Sequence, residues 1–92
     1  MKIYDWIQIE DNFNIVKHWF LTTKNYIIKD IFSSSVNDLQ LIQMTIGDSH
    51  YSVIIDMDDK IHWSPDLNLS NLKQFIIETM REQKLLTILT KP

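Results

Sequence analysis

Among its 92 residues the chain has no cysteine, no alanine and a single glycine, Gly47. Without cysteine there is no disulfide framework, no thiolate metal site and no cysteine nucleophile. One glycine leaves no room for a Gly-rich nucleotide loop, because glycine is the residue that allows left-handed turns and close backbone approach to a phosphate without strain. Basic residues are also in the minority. Nine Lys and Arg stand against twelve Asp and Glu, for a net charge of -3. That is the opposite of the basic footprint that phosphate neutralisation requires, so direct nucleic-acid binding is disfavoured. No apolar run approaches the roughly 20 residues needed to span a bilayer, and Asp5 interrupts what would have to be the apolar core of a signal peptide. Cytoplasmic placement is the expectation.

What is present is large and apolar. Hydrophobic residues make up 45% of the chain, including four Phe, three Trp and three Tyr. With no alanine, most apolar positions carry bulky side chains. This composition predicts one folded domain over residues 1–92.

Residues 3–9 alternate in part (Ile3, Asp5, Ile7, Ile9 against Tyr4, Trp6, Gln8) and are rich in β-formers, which suggests a strand. From Asp11 the spacing of Val16, Trp19, Phe20, Thr23, Tyr26, Ile27 and Ile31 is helical, with Asp11 or Asn12 as cap and Ser33, Ser34 and Ser35 as the stop. Residues 39–46, 51–57 and 61–63 read as a three-stranded antiparallel meander. Its core face would carry Ile42, Met44, Ile46, Tyr51, Val53, Ile55, Met57, Ile61 and Trp63, pairing 46 with 51 and 44 with 53. Ser64-Pro65-Asp66, or Ser70, then opens a second helix through Leu72, Phe75, Ile76 and Met80 to about Gln83. Residues 85–90 suit either a last strand, the preferred reading, or a continuation of that helix. The predicted class is α+β in the order β-α-β-β-β-α-(β), with two helices packed on one face of a mainly antiparallel sheet.

Chemistry-bearing constellations are few. Asp56, Asp58 and Asp59 with His62 offer oxygen and imidazole ligands, but Lys60 and the missing glycine break the calcium-loop pattern. Short acids capping their own turn are the better reading. Asp48-Ser49-His50 holds triad residue types, yet strand neighbours point to opposite faces and no Gly-x-Ser-x-Gly elbow exists. Neither a catalytic site nor a metal or other cofactor is expected.

Charge and apolar surplus are more informative. Residues 12–32 hold Lys17, Lys24 and Lys29 against Asp30, whereas residues 48–66 hold five aspartates against Lys60. Such an acidic pole can steer a basic partner. Leu21, Ile28, Leu41 and Ile54 fall off the main core stripes, which points to a second buried surface. In element order the α-β-β-β-α portion resembles the double-stranded-RNA-binding domain, although Ser64-Pro65-Asp66-Leu67 stands where that module presents lysines. Small acidic secretion chaperones share the order.

The expected function is that of a non-enzymatic protein-binding module, an inhibitor or immunity-type protein of the kind phages and plasmids encode, occluding a basic partner such as a nuclease. Its expected contacts are Asp56, Asp58, Asp59, Asp66 and His62, with Trp63 and Tyr51 as anchors. The alternative is a homodimeric adaptor or chaperone using Leu41, Ile54, Leu21 and Ile28.

Overall fold

A computed structural model describes residues 1–24 and 26–90, the last three by backbone alone. The elements are α1 (Ile3–Trp6), α2 (Glu10–Thr23), β1 (Ile28–Val36), β2 (Leu39–Ile46), β3 (Ser49–Ile55), β4 (Ile61–His62) and α3 (Leu72–Thr90). The strands form one antiparallel sheet in the order β1-β2-β3-β4. The α+β class with a mainly antiparallel sheet is therefore the observed one.

The first predicted strand is a short helix. Ile3, Trp6 and Ile7 are the buried residues of this segment, and their spacing is i, i+3, i+4. Asp5 and Ile9, which an alternating strand would have buried beside Ile3 and Ile7, are exposed. The helical period won because it buries the indole of Trp6.

The predicted helix over residues 11–31 ends early. α2 stops at Thr23, burying Asn12, Phe13, Val16, Trp19 and Phe20. Neither Asp11 nor Asn12 caps it: the cap position is Ile9, and Asn12 lies inside the helix with its side chain turned to the core. Beyond the helix the chain becomes β1, whose pairing with β2 runs from Ile28↔Ile46 to Val36↔Leu39 with a bulge at its start. Ile27 and Ile31 are four residues apart, a separation that suits a helix and a strand equally. Ile31 is buried in the sheet, while Ile27, just before the strand, is 81% exposed. The serine triplet is in the strand rather than ending a helix, and Ser35 Oγ accepts a 2.7 Å bond from the buried Gln40 amide.

Within the meander the predicted faces hold and the register moves by two. Met44 pairs with Tyr51 and Ile46 with Ser49, so the turn is the two-residue Gly47-Asp48. Gly47 takes φ +61°, the left-handed value that favours glycine at a tight hairpin. A shift of two keeps every side chain on its face. Met57 departs from the prediction, since it lies in the turn after β3 and is exposed. Residues 63–71 carry Leu67 and Leu69 into the core, and α3 begins only at Leu72. Residues 85–90 continue α3: no Gly or Pro interrupts it, and Lys84, Leu85 and Leu86 favour helix.

Both long helices cover the same sheet face. Phe20, Val16, Leu72 and Ile76 meet Ile42, Met44, Val53 and Ile55 in one apolar cluster, bordered by Phe75 stacked on Trp19 at 5.5 Å. Through this core runs a cycle of polar contacts. Trp6 Nε1 donates to Gln83 Oε1 at 2.8 Å, Gln83 Nε2 to Asn12 Oδ1 at 3.0 Å, and Asn12 Nδ2 to the Trp6 carbonyl at 3.0 Å. Replacing Asn12, 7% exposed, by alanine strips the Gln83 amide of its acceptor and leaves the Trp6 carbonyl with the Ile9 amide alone. Urea unfolding of Asn12→Ala should show a loss of about 1–3 kcal/mol, which Asn12→Asp does not restore at neutral pH because its carboxylate cannot donate to the Trp6 carbonyl.

Candidate functional site

The residues expected to meet a partner separate into three groups. Asp56, the residue after β3, organises the turn to β4. Its Oδ1 accepts from the backbone amides of Asp58 (2.9 Å) and Lys60 (3.0 Å), and its Oδ2 lies 3.1 Å from His62 Nε2. The self-capping turn expected from the sequence is thus present. The His62 hydrogen bond holds the Asp56 carboxyl below the usual carboxylate range, helped by the amides of Lys60 and Asp58 and opposed by partial burial. Asp58 is exposed beside it, and Asp66 is exposed on the 63–71 segment.

Asp59 is turned the other way. It sits at φ +62°, and its two oxygens accept the backbone amides of Ile3 (3.0 Å) and Tyr4 (3.1 Å). A carboxylate on the orphan amides at a helix start satisfies donors that α1 cannot. Lys2 Nζ adds a 2.8 Å bond to the Met57 carbonyl. Asp59 therefore fastens α1 to the β3–β4 turn.

Tyr51 and Trp63 form the third group. Tyr51 pairs with Met44 on the helix-facing side, and both aromatics are half-buried against the core. The structure does not bring them to the face that carries His62. The four residues of the apolar surplus also divide. Ile28 packs on the core, Leu21 is exposed on α2, and only Leu41 and Ile54 are direct cross-strand neighbours on the far side of the sheet.

That far side carries residues the sequence reading missed. From the register, its strand positions are Asp30, Phe32, Ser34 and Val36 on β1, Leu39, Leu41, Gln43 and Thr45 on β2, His50, Ser52 and Ile54 on β3, and His62 on β4. None belongs to the core cluster. Phe32 and Val36 are 46% and 48% exposed. They were overlooked because residues 28–31 were assigned to a helix. The signal that could have found them is the alternation of Phe32, Ser34 and Val36, opposite in phase to Ile31.

The meander also places the acids. Asp38 and the Asp56–Asp59 turn share one end of the sheet, while Asp48 lies at the other end, 3.7 Å from Lys29. The acidic pole is thus the end bearing Asp38, Asp56 and Asp58. Among the described residues no three His, Asp or Glu side chains are grouped closely enough to hold a metal ion. No helix among them is long and apolar enough to cross a membrane.

The lowered Asp56 carboxyl sets a pH dependence with a definite sign. Its stabilisation is complete above the range in which the unfolded carboxyl titrates and is lost as pH falls through the depressed folded value. Asp56→Ala should lower the urea midpoint at pH 6, and its stability should then fall less steeply than that of the wild type below about pH 4. Parallel loss in both proteins would show that the carboxylate contributes nothing. Comparison with known protein families, curated proteins and solved structures finds none that matches this chain.

Proposed function

We propose that this chain is a non-enzymatic protein-binding module that docks on a basic protein partner through the open face of its sheet, in the manner of an inhibitor or immunity protein. The observation that carries this reading is the composition of that face. Phe32, Val36, Leu41 and Ile54 lie on it, and its paired strand positions include Asp30 but no Lys or Arg, with Lys29 at the bulge beside Asp30. Asp38, Asp56 and Asp58 border one end, with Lys60 and Lys2, whose Nζ bonds the Met57 carbonyl, as neighbouring cations.

Magnitude favours a contact that includes this border. Three strands of some 25 Å and a two-residue strand, at about 4.8 Å spacing, project roughly 400 Å². A standard interface buries about 800 Å² per partner. The whole sheet face fills about half of that, and the acidic turns extend it. In this arrangement Phe32, Leu41 and Ile54 supply the desolvated centre, while the aspartates supply on-rate and orientation. Tyr51 and Trp63 support the sheet from behind.

The homodimeric alternative is narrowed to the surface of Leu41 and Ile54, since Leu21 and Ile28 do not lie on it. Light scattering should report a monomer at micromolar concentration. Affinity capture from the source cell should recover a basic protein at low salt, with recovery falling as salt rises. The double variant Leu41→Ser with Ile54→Ser should reduce recovery at least about tenfold while leaving the fold intact by circular dichroism. A stable salt-insensitive dimer, or undiminished capture by that variant, would count against the reading.

A further inference from the structure

The helical side of the molecule holds a cleft of about 570 Å³ between α1 and α3, within the roughly 300–1,000 Å³ typical of small-molecule sites. Its floor is Ile3 and Trp6, its wall Ile77 and Met80, and its lip the exposed Met1. Lys73, Arg81 and Lys84 also line it. On α3 these three cations and Ile77 recur at three- and four-residue steps, so they form one stripe of the helix.

Three of the nine Lys and Arg residues of an acidic chain thus line a single apolar cleft. The ion pairs found among the described residues, Lys29–Asp48 and His62–Asp56, involve none of them. The carboxylate that lines the cleft is Asp59, whose oxygens already accept the amides of Ile3 and Tyr4. Glu78 accepts instead from Gln74, outside the cleft. The polar atoms nearest the floor are likewise engaged: the Trp6 indole donates to Gln83, and the Gln83 amide to Asn12.

We propose that this cleft binds a small amphipathic anion, a single alkyl chain ending in a carboxylate. The alkyl chain would lie on Trp6, Ile77 and Met80, with the carboxylate between Arg81 and Lys84, which are i, i+3 neighbours. An acidic peptide fits less well, because its backbone would need hydrogen-bond partners that the engaged polar groups of the floor do not offer, whereas an alkyl chain needs none. The site is independent of the open sheet face, so either can fail without the other.

Titration of the full chain with dodecanoate, below its micellar concentration, tests the proposal by nitrogen–proton NMR. Saturable one-to-one binding is expected, with the largest shifts at the Trp6 indole, Ile77 and Met80. Dodecanol, with the same chain and no charge, should bind at least about tenfold more weakly, since hydrogen bonds to a charged group contribute more than neutral ones. Arg81→Gln combined with Lys84→Gln should weaken dodecanoate about tenfold and leave both dodecanol binding and the melting temperature unchanged. The proposal is overturned by absence of saturable binding, by shifts that map elsewhere, by equal affinity for dodecanoate and dodecanol, or by tighter binding of hexaglutamate than of dodecanoate.

Discussion

The hydrogen-bonded cycle of Trp6, Asn12 and Gln83 joins the two N-terminal helices to a third that is more than 70 residues away in sequence. Among the described residues Asn12 and Gln40 are the buried polar ones in an otherwise apolar interior, and Asn12 is satisfied only because Trp6 and Gln83 stand where they do. A buried amide that loses its partner costs more than the bond itself contributes, so the cycle selects one packing over near alternatives. It sets α1 against α2, and it sets the approach of α3 to both. The cleft between α1 and α3 inherits its floor from this arrangement. Asp59 completes it from the opposite end of α1, where two amides would otherwise lack acceptors.

Most of the sheet was legible because period 2 is a robust signal. Ile42, Met44, Val53 and Ile55 reached the core as expected, and a register error of two residues left their facing unchanged. The first and second elements were misread for one shared reason. Ile3 and Ile7, like Ile27 and Ile31, are four residues apart, and that separation satisfies both periods. What decided each case lay outside the segment itself: Trp6 found Gln83 across 77 positions, and β1 found β2 through the Asn37-Asp38 turn. Asn37 takes φ 55°, a value Asn tolerates better than most residues, so a turn signal was present without any glycine to announce it.

The candidate site was legible by residue type more than by place. The Asp56 turn and its His62 neighbour followed from the hairpin. The inward use of Asp59 could not be read, since nothing in the local sequence says that the N-terminal helix lies against that turn. Aromatic residues were equally ambiguous: Tyr51 and Trp63 look like anchors in sequence but face the helices, whereas Phe32 looks like the end of a helix and faces outward. Net charge conceals a division of the same kind. A stripe of cations follows α3, and aspartates cluster at one end of the sheet, with Asp59 reaching the cleft that the cations line.

The linear order of the sheet has a consequence for how the chain reaches this state. Each strand pairs with its sequence neighbour, and two of the three connections are two residues long, so the meander needs little loop-closure entropy to begin. The contacts of Asp59 with α1 and of Trp6 with Gln83 span 55 to 77 residues and need both termini in place. Connectivity thus favours early hairpins, because the contacts of the terminal helices close far longer loops. A substitution in the Gly47 turn would then act mainly on the folding rate, and one at Gln83 mainly on the unfolding rate.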